Sequence, residues 1–183
     1  MPLNEADTRA LLVDPKLKAS GWQGTQVTRE FFYQRDYQYT KGRIVLVGDS
    51  VRRRHPRRVD YLLRYTESFP IAVVEAKPED EPPETGLEQA KRYAQDLGVS
   101  FAYATNGHRI IEYDFFTKSS RELDRFPSPD ELWERWRANA GFPKDSLPVA
   151  GRRFRYRADA IEERRRNPLL HPYCPESLCG KTP

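Results

Sequence analysis

Apolar positions crowd into short runs in the middle of the chain. Val59 to Tyr65 and Ile71 to Lys77 are two such runs, separated by Thr66 to Pro70. Both have strand length and β-branched or aromatic content, and the gap is that of a hairpin, so an antiparallel pair is expected. Upstream, the aromatic-rich stretch Glu30 to Tyr39 and the run Ile44 to Val47 read as strands, with Lys41 and Gly42 between them as a turn. Downstream, Phe101 to Thr105 and Arg109 to Phe115 form another strand pair around Asn106, Gly107 and His108.

The helical period appears in three places. Glu5 to Val13 is expected to be helical with Asn4 as its cap, and Asp14-Pro15 to open a second short helix ending at Gly21. Thr85 to Glu88 has the form of a capping box, followed by Leu87, Ala90, Ala94 and Leu97 as a narrow apolar stripe that stops at Gly98. A second capping box, Ser128 to Glu131, opens a helix through Trp133 and Trp136. The order is helix, several strands, helix, two strands, helix, which predicts an α/β domain with a central mixed sheet flanked by helices.

Length and composition then set the scale. With 183 residues the chain has room for one well-buried core and too few for two ordinary domains. Beyond Gly141 the periodicity weakens, and Pro143 and Pro148 bracket a linker, so residues 1–145 are expected to form the domain and 146–183 a basic, loosely ordered tail. No stretch approaches the ~20 apolar residues of a membrane helix, and no apolar leader is present, so a cytosolic protein without membrane contact is expected. Cys174 and Cys179 lack a second pair at zinc-site spacing and receive no role. The net charge of +4 is modest, but arginines gather at residues 52–58 and again at 152–157. Guanidinium groups fit phosphate esters bidentately, which makes nucleic acid a candidate partner; a solvated charged loop explains either cluster equally well.

Chemistry enters at the end of the second central strand. Strand alternation puts Ile71, Val73, Glu75 and Lys77 on one face and Ala72, Val74 and Ala76 on the other. In the expected hairpin, Asp60 at the start of the first strand lies beside Glu75 at the end of the second. Two carboxylates so close repel unless a cation lies between them, so the pair either binds a metal or is matched by Arg and Lys. Arg57 and Arg58 stand close enough in sequence to serve that second purpose. Phosphodiester hydrolysis needs a hard cation on oxygen ligands, and Mg2+ held by Asp60, Glu75 and the Ala76 carbonyl suits it. Lys77 would orient the attacking water and offset transition-state charge.

Asp60 followed by Glu75-Ala76-Lys77 resembles the signature of PD-(D/E)XK nucleases. Three further stretches narrow the likeness: Asn4 to Arg9 in the first helix, Gln89-Ala90-Lys91-Arg92-Tyr93 in the helix after the Glu-x-Lys strand, and the strand pair Phe101 to Asp114 with its Asn-Gly turn. Over roughly residues 3 to 140 the chain resembles the N-terminal nuclease domain of type I restriction endonuclease R subunits. The resemblance implies a restriction-endonuclease-like core that cuts double-stranded DNA with Mg2+. It implies catalytic roles for Asp60, Glu75, Lys77 and Glu5, and supporting or DNA-contacting roles for Gln89 and Tyr93, with Arg57 and Arg58 beside them. Methyltransferase and specificity subunits are the implied partners.

R subunits continue into an ATP-driven translocase. Gly180-Lys181-Thr182 echoes the end of a phosphate-binding loop, but Pro175 stands where its first glycine belongs, so ATP is not expected to bind this chain. A fragment of a longer subunit and a free-standing nuclease domain both remain open, as do a catalytically idle DNA-binding or assembly module and a repair or defence nuclease of another lineage.

Overall fold

The computed structural model describes residues 1–33 and 57–141, together with the backbone of two short strands at 38–40 and 43–45. The linker and tail expected after Gly141, both cysteines and the arginines at 52–54 and 152–157 lie outside the described residues.

A six-stranded mixed sheet carries the molecule. Its strands are β1 (Val27–Tyr33), β4 (Arg57–Thr66), β5 (Phe69–Ala76), β6 (Phe101–Thr105), β7 (Ile110–Asp114) and β8 (Ser119–Leu123), adjacent in that order. All neighbours are antiparallel except β5 and β6. That parallel pair is joined by helix α3 (Glu84–Leu97), the crossover that parallel pairing requires. Strands β2 (Gln38–Thr40) and β3 (Arg43–Val45) pair antiparallel on either side of the turn expected at Lys41 and Gly42, but the strand expected from Glu30 does not serve that hairpin alone: residues 30–33 belong to β1, which pairs with β4.

Each face of the sheet is covered. On one side Ala90 and Ala94 of α3 pack on Val59, Leu62, Val73 and Ala102. Small side chains let the helix lie close to the strands. On the other side, Val13 and Leu17 from the N-terminal helical segment and Leu132, Trp133 and Trp136 from α4 (Pro129–Ala140) bury Tyr61, Leu63, Val74, Phe101 and Tyr103. Trp133 stacks on Tyr65 at 4.8 Å, and Phe69 meets Trp136 edge-on at 4.9 Å. Such pairs each contribute about 0.5–1.5 kcal/mol beyond their burial. Leu132, fully buried at the centre of this layer, is the side chain whose truncation to Ala would cost most simply, about 2–5 kcal/mol.

Several local details differ from the sequence expectations. The N-terminal helix is continuous through three geometries: α1 (Glu5–Thr8), a π-helical turn (Arg9–Val13) and α2 (Asp14–Ala19). Asn4 caps it as expected, accepting from the Asp7 amide at 2.9 Å. The capping box at Ser128 is present, with reciprocal bonds to Glu131. The one at Thr85 is not. Pro83 is already helical, α3 begins at Glu84, and the Thr85 hydroxyl donates back to the Pro82 carbonyl. Leu87 and Leu97 are only half-buried, and Gly86 joins Ala90 and Ala94 on the covered stripe. The central hairpin turns through Glu67 and Ser68 alone, with irregular register near Arg64 that moves Ile71 to the same core cluster as Ala72 and Val74. Strand β8 was not expected at all, because its residues are nearly all exposed and polar.

Candidate active site at one end of the sheet

The register of β4 and β5 builds the site. Tyr61 pairs with Val74, so Asp60 lies beside the end of β5, and its Oδ2 accepts the Ala76 amide at 2.8 Å. Asp60 and Glu75 are both buried, 4% exposed each, at the point where the strand gives way to Pro78. Lys77 follows immediately after β5, and its amide donates to the Thr105 carbonyl at 2.8 Å, which extends the β5–β6 alignment by one residue.

Helix α3 supplies the next layer. Gln89 Nε2 donates to Glu75 Oε1 at 2.5 Å and lies 3.0 Å from the Tyr93 hydroxyl, one helical turn on. Lys77 Nζ reaches Glu75 Oε1 and Gln89 Oε1, both at 3.4 Å. Gln89 and Tyr93 therefore stand on the site-facing side of the helix, as their spacing of four suggests. Glu75 Oε2, by contrast, is buried without a hydrogen-bond partner among the described residues. Gly86 brings α3 close enough for this contact: a Cβ there would fall 2.9 Å from Lys77 Cε and 3.3 Å from its Cγ. Nothing in the pattern of hydrophobic and polar positions marks Gly86 as part of the site.

The N-terminal helix closes the third side. The Glu79 amide donates to the Leu3 carbonyl at 3.1 Å and the Leu3 amide donates to the Glu79 carboxylate at 2.8 Å, which ties the helix start to the loop after β5. Arg9 Nη1 donates to Asp60 Oδ1 at 2.5 Å and stands 3.7 Å from Glu5. Glu5 is thus at the rim of the site, joined to it through Arg9 and by a 3.9 Å approach to Arg58. Arg57 and Arg58 are each partly exposed and already paired, Arg57 with Asp96 at 2.6 Å and Arg58 with Glu30 at 3.2 Å. Among the described residues the cation paired with Asp60 is Arg9. Arg9 and Glu30 belong to the cluster although the sequence reading assigned them no role.

Two buried acids in one sheet show what distinguishes this site. Glu112 on β7 is fully buried, and burial works against its charge. Bonds from Arg135, the Tyr103 hydroxyl and Arg121 outweigh that effect and hold its carboxyl below the usual range. Glu75 is pushed up to about 8, first by burial and then by the charge of Asp60, with Lys77 offsetting only part. Glu112 is what a completed structural ion pair looks like; Glu75 is a carboxyl short of positive charge.

An oxygen-rich pair with one unpartnered buried oxygen fits a hard divalent cation. Among the described residues, no group of three or more His, Cys, Asp or Glu side chains is arranged to hold a metal, so an ion here would draw the rest of its shell from backbone, water or substrate, as Mg2+ commonly does. No helix among the described residues is long and apolar enough to cross a membrane.

Comparison with known proteins places the chain in a family. Residues 27–127 match the family described as the type I restriction enzyme R protein N terminus. The chain is 33% identical over 153 residues to the type I restriction enzyme EcoAI endonuclease subunit of Escherichia coli, a match covering 80% of this chain and 18% of that protein. It also matches a solved fragment described as an HsdR subunit of a type I restriction enzyme from Vibrio vulnificus YJ016, at 45% identity and a TM-score of 0.68, covering 80% of this chain and 28% of the other. The chain thus spans less than a third of either relative. The six-stranded mixed sheet with flanking helices is the restriction-endonuclease-like α/β fold expected, and the chain belongs to the family of type I restriction enzyme R protein N-terminal regions.

Proposed function

We propose that the chain is the nuclease module of a type I restriction R subunit, hydrolysing phosphodiester bonds in double-stranded DNA with a divalent cation, Mg2+ by its ligand chemistry. The observation that carries this reading is the state of Glu75: it converges with Asp60 at a sheet end, Lys77 lies 3.4 Å from one of its oxygens, and the other is buried without a hydrogen-bond partner among the described residues. Asp60, Glu75 and the Ala76 carbonyl would hold the ion, which supplies Lewis-acid stabilisation of the phosphoryl oxygens and a water of lowered pKa. Lys77 Nζ, 3.4 Å from Glu75 Oε1, would orient the attacking water and balance charge accumulating on the phosphate. Gln89 fixes the Glu75 carboxylate and the Lys77 ammonium together, and Tyr93 steadies Gln89. Glu5 adds negative charge at the rim, and Arg57 and Arg58, partly exposed on the same strand end, would receive the DNA backbone.

Methyltransferase and specificity subunits are the partners this reading implies. The test is conversion of supercoiled plasmid by wild-type, Asp60→Ala and Lys77→Ala protein, with Mg2+ and with chelator, after circular dichroism shows that each variant is folded. Cleavage by the wild type in Mg2+ alone, reduced at least ~100-fold in both variants, is expected. Equal cleavage by all three would remove the site.

A specific contact favours a second reading, an idle DNA-binding or assembly module: Arg9 already pairs with Asp60 at 2.5 Å. On that reading Glu75→Ala leaves both DNA affinity and restriction in cells unchanged.

A further inference from the structure

The Arg9 guanidinium lies against three carboxylates at once. Nη1 donates to Asp60 Oδ1 at 2.5 Å and stands 3.7 Å from Glu5 Oε1, while Nη2 donates to Glu30 Oε1 at 3.3 Å. Its side chain is largely buried, 14% exposed, so the charge it contributes is poorly screened. Glu30 reaches it from the neighbouring strand. The pairs Arg29↔Tyr61 and Phe31↔Val59 place Glu30 across from Asp60, and Glu30 has φ of 49°, a left-handed conformation uncommon for a residue with a side chain.

The two oxygens of Asp60 have different duties. Oδ2 accepts the Ala76 amide at 2.8 Å, and Oδ1 is the oxygen a divalent ion would reach without competing with that backbone bond. That is the oxygen Arg9 holds. Two cations on one carboxylate oxygen repel each other, so the guanidinium and a divalent ion cannot both keep full contact there. Arg9 has somewhere to go: Glu30 already accepts its second nitrogen, and Glu5 lies alongside.

We propose that Arg9 is a tethered counter-ion of the site, a positioning residue that competes with the divalent ion for Asp60 Oδ1 and stays anchored on Glu30 when displaced. The inference rests on the divalent-ion reading of Asp60 and Glu75. Arg9 then carries a cost as well as a benefit: the contact that neutralises Asp60 before the ion arrives also weakens the ion's binding.

The test is Mn2+ affinity, measured by calorimetry and by electron paramagnetic resonance of the free ion, with no DNA and no turnover. Arg9→Gln is expected to bind Mn2+ about ten-fold more tightly than wild type, a difference of about 1.4 kcal/mol. Arg9→Lys, which keeps the charge, should stay near wild type. In chelator Arg9→Gln should melt lower than wild type, and saturating Mn2+ should close the gap. Equal or weaker Mn2+ binding by folded Arg9→Gln overturns the proposal. Should Arg9→Gln fail to fold, Glu30→Gln decides: its side chain is 49% exposed, and loss of the anchor should weaken Mn2+ binding several-fold, whereas unchanged or tighter binding overturns the proposal. Asp60→Ala separates the two levels. If it keeps wild-type Mn2+ affinity, the ion reading falls and the counter-ion role with it; if it abolishes binding while Arg9→Gln changes nothing, the counter-ion role alone falls.

Discussion

Between pH values of about 4.5 and about 8, folded Glu75 retains a proton that the unfolded chain has already released. The folded state therefore binds more protons than the unfolded state across that window, and stability falls as pH rises through it. Below about 4.5 the contribution is fully present; above about 8 it is gone. Denaturation in urea with chelator, repeated across this range, should show the decline in wild type and a flatter profile in Glu75→Gln. A divalent ion that binds the deprotonated carboxyl should restore stability at the upper end. Gln89→Ala removes the bond that fixes Glu75 Oε1, and outer contacts of this kind are commonly worth about 10–100-fold in metal affinity or activity. Tyr93→Phe keeps the ring and loses only the hydroxyl, so its effect should be smaller. At this scale, the central trio was legible because a strand's two-residue period and a hairpin's antiparallel return are enough to bring Asp60 to Glu75. Arg9 and Glu30 were not, since one reaches in from a distant helix and the other depends on a left-handed backbone that no composition signals.

Helix α3 positions the site by lying close to the β5 end, and Gly86 is what permits the approach. Gly86→Ala should leave stability unchanged or slightly raised, because alanine favours a helix by about 1 kcal/mol and the first atom met belongs to a flexible lysine. Plasmid cleavage should nonetheless fall, since the new methyl group pushes Lys77 away from Glu75 and Gln89. A variant that melts at or above the wild-type temperature and cuts at the wild-type rate would show that this close approach is packing alone. Ser128→Ala is the converse control. It should cost about 1 kcal/mol through loss of the α4 cap, seen as a lower melting temperature, and leave cleavage untouched. The two capping boxes also show where sequence signals hold and fail. Ser128 sits in an extended backbone with ψ of 163° and can cap; ahead of Thr85, Pro83 has already turned helical with ψ of −23°. Strand β8 escaped because it is an exposed edge whose alternation is erased by polar residues on both faces.

Over the whole molecule, the sheet is the instrument that gathers these groups. Two covered faces leave its end, where β4 begins and β5 stops, as the place where buried carboxylates and helix-borne polar groups meet. The order of elements in the sequence was enough for the mixed sheet and its flanking helices, because each layer carries its own period. What the order did not contain was the tie between Leu3 and Glu79 that sets the N-terminal helix against the loop after β5, a contact between residues 76 positions apart. The family match over residues 27–127 covers the strands bearing Asp60 and Glu75, Lys77 just after them and the helix bearing Gln89, and does not include Glu5 and Arg9. The claim that joins all of these is that Glu75 is buried at a cost to the fold because its charge is needed for cutting. Glu75→Gln tests it most directly, since it preserves shape while removing the charge. In the plasmid assay with Mg2+ above pH 8, the variant should be at least as stable as wild type in chelator and should cleave at least ~100-fold more slowly. Cleavage at the wild-type rate by folded Glu75→Gln protein would contradict the account.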